Sequence, residues 1–228
     1  LILTAIGIFM LTKIAIWYRK QLEEEKLSKV KKVLVSSLPP LTKKQVGIAL
    51  SLLLVIIFAR SFYVTNITNF YVFYLIQEYG LTIEKGQLLI FLFMACGVVG
   101  TFFGGSLSDR IGRKNVILLS VVVPIPLCLA LPYVPLWLVV ILLIVIGSLI
   151  MISFSVTVVY AQELVPTKIG TMAGLTVGLA FGMGAIGSVL IGILMDKIGI
   201  ETTMMIISVL PILMLVALAL PRDQVAKG

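Results

Sequence analysis

An arginine inside hydrocarbon has to be solvated or paired, and Arg60 stands where that demand is sharpest. It lies about 21 Å of helix rise beyond Val46, in a run that is plain hydrocarbon over 46–59 and turns polar over 60–69. A cation at that depth costs about 3 kcal/mol or more unless it meets water, a dipole or a counter-charge. No carboxylate lies at similar depth in the segments that follow. Glu78, Glu84, Asp196 and Glu201 belong to one side of the membrane, and Asp109 and Glu163 to the other. Facing a central cavity, Arg60 would bind an anion, with Ser61, Thr65 and Asn69 as hydrogen-bonding neighbours. Helical spacing allows two stripes, Arg60–Tyr63–Ile67–Tyr71–Tyr74 or Ser61–Thr65–Thr68–Asn69, and does not choose which lines the path. The other reading has Arg60 bonding carbonyls, or a carboxylate elsewhere in the protein.

A second concentration of polar chemistry is Gly105-Ser106-Leu107-Ser108-Asp109-Arg110-Ile111-Gly112-Arg113-Lys114, set between apolar runs at 88–103 and 116–131. Runs of that length read as membrane-spanning helices. The stretch between them is expected to be a turn. Its glycines Gly105 and Gly112 let helices approach and the chain reverse. Asp109 can take an arginine or cap a helix N-terminus. Arg110, Arg113 and Lys114 hold this end in the cytoplasm. Nothing resembles a catalytic triad, a phosphate loop or a metal site. Cys96 and Cys128 stand singly in apolar segments and read as packing residues, and there is no histidine to relay protons. Neither enzyme, cofactor nor metal is implied.

The elements that must position these residues follow from composition. Of 228 residues, 60% are hydrophobic and 12% charged, about half the charged fraction of a soluble domain. The chain is an integral membrane protein whose principal partner is the lipid bilayer. Its net charge of +8 sits in loops, so it is not a nucleic-acid signal. Leu1 already lies in an apolar run, so the chain is expected to begin inside a span.

Residues 1–18 read as a helix with Trp17 and Tyr18 at the interface and Lys13 snorkelling. Residues 19–45 are a basic linker, partly a surface helix, ended by Pro39-Pro40. The span over 46–76 is too long for one simple crossing, and 77–86 is an external turn. Further helices are expected over 87–107, 115–131 with kinks at Pro124 and Pro126, 136–161, 171–195 and 202–220, with 222–228 as a cytoplasmic tail. This topology puts fourteen Lys and Arg on one side and two on the other, leaving Lys13 and Arg60 within helices. Such asymmetry orients the chain with linker and C-terminus in the cytoplasm. Gly174, Gly178, Gly182, Gly184, Gly187 and Gly192 make the fifth helix glycine-rich, and the expected use is backbone packing.

Gly105-x-Leu107-x-Asp109-Arg110-x-Gly112-Arg113-Lys114 resembles the loop signature of the major facilitator superfamily of secondary transporters. A shift of 87 positions (192 minus 105) brings Gly192-x-Leu194-x-Asp196-Lys197-x-Gly199 onto the same pattern, with Gly97 on Gly184, Gly100 on Gly187 and Thr101 on Ser188. Arg113 and Lys114 become Ile200 and Glu201, as expected if the second copy faces the opposite compartment. The implied fold is all-α: a half-bundle of six transmembrane helices over 46–221, built from two inverted three-helix repeats and preceded by one helix. The missing N-terminal six-helix half would be a partner.

The resemblance also implies a gate. Gly105, Asp109, Gly112, Arg113, Lys114 and Glu163 would hold the outward-facing state, Asp109 on the N-terminus of a neighbouring helix and Arg113 on Glu163. Residues 159–199, from Val159-Tyr160-Ala161-Gln162-Glu163-Leu164-Val165-Pro166 through the glycines after it, are similar to the fosmidomycin-resistance branch, bacterial inner-membrane exporters thought to use the proton gradient. Fosmidomycin is a phosphonate, and Arg60 suits such an anion. The implied function is proton-coupled efflux of a small, anionic molecule by an antiporter conferring antibiotic resistance. The six-helix half has no mid-membrane carboxylate, so a group binding protons would sit in the absent half. An organic-anion or sugar importer, or a non-transporting half-transporter scaffold, are the alternatives.

Overall fold

The computed structural model describes residues 42–221. The helix expected over 1–18, the basic linker up to residue 41 and the tail at 222–228 lie outside the described residues. Among them the backbone is almost wholly helical, with only short breaks between the helices. Six stretches are long and apolar enough to cross a membrane.

The first, α1 (Lys43–Asn69), starts at a capping box. The Thr42 N–H donates to Gln45 Oε1 at 2.9 Å, and the Thr42 hydroxyl accepts from the Gln45 N–H at 3.4 Å, which satisfies two donors that a helix start leaves orphaned. Phe70 bends the chain at φ −121°, yet its N–H still reaches the Asn66 carbonyl at 3.0 Å. The chain therefore continues into α2 (Tyr71–Tyr79) and stops only at Gly80, whose φ is +62°. The external turn expected over 77–86 is confined to 80–82. Thr82 caps α3 (Ile83–Ile111) by accepting from the Lys85 N–H at 3.4 Å, and Glu84 in the first turn faces the positive end of the helix dipole.

The turn expected across the signature is instead helix almost throughout, since α3 runs through Gly105 to Ile111. Its 29 residues rise about 43 Å against a hydrocarbon layer of about 30 Å. The charged end can thus leave the bilayer with the helical ladder still running as far as Ser108 O, which the Gly112 N–H reaches. Only Gly112 departs, at φ 89° and ψ 147°. The second copy does the same at Gly199, φ 83° and ψ 165°. The bonds around the two glycines match. Gly112 N–H reaches Ser108 O at 3.0 Å and Val116 N–H reaches Gly112 O at 3.2 Å; Gly199 N–H reaches Met195 O at 3.0 Å and Thr203 N–H reaches Gly199 O at 3.2 Å.

The third helix of each repeat is also interrupted at the same register. The first breaks at Val123 into α4 (Arg113–Val122) and α5 (Pro124–Ala130). The second passes from α8 (Ile200–Val209) into a 3₁₀ segment, Leu210–Ala219, with Pro211 near its start. Pro124 and Pro211 are 87 positions apart (211 minus 124). Each lacks the N–H that an α-helix interior needs. Between Gly112 and Gly199 lie three spans, namely α4 with α5, α6 (Leu136–Leu164) and α7 (Ile169–Ile198). An odd number of crossings puts the two glycines at opposite ends, so the repeats are inverted.

The repeats interlock. The middle helix of each packs along the first helix of the other: α3 on α6, and α7 on α1. Small residues make the first contact close. A Cβ on Gly97 would stand 2.7 Å from Met151 Cγ, one on Gly104 would stand 3.1 Å from Ser155 Oγ, and one on Gly100 would overlap the Ser148 carbonyl. In the second contact Gly184 meets Thr65 Oγ1 and Gly187 meets the Phe62 ring. The packing expected of the glycine-rich helix is therefore only partly present. Gly184 and Gly187 pack on α1 and Gly192 lies at contact distance from the Phe70 ring, whereas Gly170, Gly174, Gly178 and Gly182 meet nothing within 4 Å among the described residues. Four-residue spacing puts those open glycines on one bare face.

Two apolar clusters fill the bundle. One gathers Tyr63, Tyr71, Phe93, Cys128 and Ile146; Tyr74 and Tyr79 bond there to the carbonyls of Pro132 and Val134 at 2.9 and 2.6 Å. The other gathers Leu53, Ile117, Val156, Tyr160 and Met214 at the basic end.

Candidate functional site

Crossing α7 over α1, with α3 and α6 beside them, leaves a cavity of about 620 Å³. Most of its polar wall is a single face of α1, namely Arg60, Ser61, Thr65, Thr68 and Asn69, and α7 adds Ser188. All four residues expected to bind substrate lie on it. The choice between the two stripes resolves by splitting one of them. Arg60 turns to the cavity, while Tyr63, Ile67, Tyr71 and Tyr74 go into the core.

Arg60 is 4% exposed. Its guanidinium lies over the Phe154 ring, 4.7 Å from the centroid, where the negative face of the ring attracts a cation. Among the described residues no carboxylate comes within ion-pair distance of it. Ser61 and Thr65 make no internal side-chain hydrogen bond among the described residues, so both hydroxyls can donate into the cavity. Thr68 is already spent on its own helix, donating to Val64 O at 2.9 Å. Asn69 Nδ2 donates to Ser188 Oγ at 3.0 Å, which ties α1 to α7 and leaves the Ser188 proton free to donate.

Met94 from α3, Met151 and Phe154 from α6, and Phe181 from α7 supply an apolar wall. Reading the sequence alone missed these residues and Ser188. One signal was present for Ser188, which sits 87 positions after Thr101 on the corresponding packed face. The others carried no local mark, because apolar residues in a span look alike until helices cross.

The signature residues meet at the basic end. Arg113, 16% exposed, pairs with Glu163 at the end of α6, as expected; Asp109 Oδ1 lies 3.7 Å from Arg113 Nη2. Asp109 is 72% exposed and makes no bond to a helix N-terminus among the described residues. The N-terminus of α7 at Lys168 has no side-chain cap. The expected Asp109 contact with a neighbouring helix start is thus replaced by an ion pair one turn along, because α3 remains helical through Asp109 and aims the carboxylate at Arg113. Lys114 reaches the end of the last span, donating from Nζ to Leu218 O at 3.4 Å and also to Leu220 O. Tyr160 OH donates to Pro221 O at 2.8 Å. These donors satisfy carbonyls that a helix end leaves orphaned. Gly104, not Gly105, makes the close helix contact, since Gly105 meets nothing within 4 Å among the described residues.

Six spans in two inverted copies, with a polar-walled cavity between α1 and α7, define a multi-pass membrane half-bundle. The Major Facilitator Superfamily matches residues 1–177, and the chain belongs to that family. It is 47% identical over 225 residues to the uncharacterized MFS-type transporter YfnC of Bacillus subtilis (strain 168), covering 98% of this chain and 54% of that protein. It is 38% identical over 219 residues to the fosmidomycin resistance protein of Escherichia coli (strain K12), covering 96% of this chain and 53% of that protein. The chain spans about half the length of the curated relatives it matches.

Proposed function

We propose that this chain is the C-terminal half, with the last helix of the N-terminal half, of a secondary transporter that exports small organic anions across a bacterial inner membrane. The observation that carries the reading is Arg60: a buried cation on a cavity wall, held by an aromatic ring and matched by no carboxylate among the described residues. A charge kept there at such cost is best explained by a ligand that neutralises it in each cycle. The relative named for fosmidomycin resistance supports efflux of a phosphonate-like anion. The mechanism is alternating access, in which two bundles rock about a mid-membrane site.

The basic end faces the cytoplasm. There Asp109, Arg113 and Glu163, with Lys114 and the corner at Gly112, act as a latch that opens during the inward swing. Gly105 leaves the outer side of α3 smooth for that motion. The carboxylates of the described residues all stand near the ends of helices, so coupling to protons falls to a titrating group in the preceding half. The test is efflux of a phosphonate from vesicles carrying the full-length protein, with and without a pH gradient. Gradient-driven efflux that Arg60→Ala abolishes, with insertion intact, is expected. Efflux equal in wild type and Arg60→Ala would reject the reading.

A further inference from the structure

The cavity has two chemically different walls, and they set the class of anion it takes. Resting on the reading of Arg60 as an anion site, we propose that the substrate is an amphiphilic oxyanion: one phosphonate, phosphate or carboxylate head carrying a short apolar body. The head belongs on α1. Phe154 covers one face of the Arg60 guanidinium, which leaves the N–H edge to meet two oxygens side by side. Ser61 and Thr65 stand one turn apart on the same wall, and their free hydroxyls suit the remaining oxygens. Among the described residues this wall offers one cation and no carboxylate, so it favours a single anionic head over a zwitterion or a cation.

The body belongs on the facing wall of Met94, Met151 and Phe181. Thioethers are flexible and polarisable, so they fit bodies of several shapes. Met94 and Phe181 are solvent-exposed in this half, apolar surface that a ligand would cover. Phe154 belongs to both walls: it positions Arg60 and borders the apolar side. A site built for a fully polar anion would instead spend that area on donors.

Calorimetric titration of the detergent-solubilised full-length protein with methylphosphonate, hexylphosphonate and hexanol separates the possibilities. Each methylene that leaves water adds about fourfold in affinity. Hexylphosphonate should therefore bind at least about tenfold more tightly than methylphosphonate, and hexanol should not bind measurably. Arg60→Gln should abolish binding of both phosphonates. Met94→Ala should narrow the hexyl-to-methyl ratio by weakening hexylphosphonate several-fold more than methylphosphonate. Phe154→Leu should weaken both phosphonates about tenfold through loss of the ring beneath the guanidinium. Equal affinity for the two phosphonates, both lost in Arg60→Gln, would overturn the amphiphile proposal and leave the anion site standing. Hexanol binding as tightly as hexylphosphonate, unchanged in Arg60→Gln, would overturn both.

Discussion

Two acids compete for Arg113, and burial decides which matters. Glu163 is 33% exposed and pairs directly with a guanidinium that is 16% exposed, whereas Asp109 is 72% exposed at 3.7 Å. Exposed pairs of the second kind contribute about 0.5 kcal/mol or less. Removing the partner of a largely buried charge costs more, because the desolvated cation is left behind. Glu163→Gln should therefore lower the melting temperature of the purified protein several degrees more than Asp109→Asn. Transport assays on the same pair test the latch: loss of efflux in Asp109→Asn with an unchanged melting temperature is expected if Asp109 acts in the cycle. Equal melting shifts in the two variants would show that Asp109, despite its place in the signature, shares the ion pair equally. The residue types were readable from sequence, but the ranking of the two acids was not, since exposure depends on what α6 covers.

At the scale of elements, glycines that look alike in sequence do different work. Gly100 lies where a Cβ would overlap the Ser148 carbonyl, while Gly105 meets nothing within 4 Å among the described residues. Gly100→Ala forces α3 away from α6, an overpacking cost of about 1–3 kcal/mol. Gly105→Ala adds a better helix former in open space and should stabilise by up to about 1 kcal/mol. Thermal melting of the two variants checks the sign, and two losses of equal size would show that Gly105 also packs. The corners make a matched pair. Gly112 and Gly199 share φ near +85° with ψ of 147° and 165°, a region that costs other residues about 1–3 kcal/mol. Gly112→Ala and Gly199→Ala should destabilise by similar amounts, and a large difference between them would argue against equivalent corners.

For the whole molecule, the inverted repeat makes a prediction about sidedness. Arg110 and Lys197 are exposed and correspond under the shift of 87 (197 minus 110). In a background with Cys96→Ser and Cys128→Ser, Arg110→Cys should react with a membrane-impermeant thiol reagent only after the cells are opened, and Lys197→Cys should react in intact cells. Reaction of both from one side would remove the inverted architecture. The bare face of Gly170, Gly174, Gly178 and Gly182 also belongs to this scale. Its packing role was expected from composition, yet only the later glycines of α7 are covered by α1.

The amino-acid sequence alone determined the class, the number of spans over the described residues and the symmetry. These depend on run length, charge placement and a repeat in the chain, all properties of one dimension. It also picked out Arg60 as anomalous, since the cost of a cation in hydrocarbon holds whatever surrounds it. Only the tertiary structure decided that Arg60 leaves its own stripe for the cavity, that Phe154 and Ser188 join it, and that the signature is helix with a single-residue corner. Those outcomes depend on which faces meet when α7 crosses α1 and α3 crosses α6. An apolar face carries no label for its partner until the helices are packed.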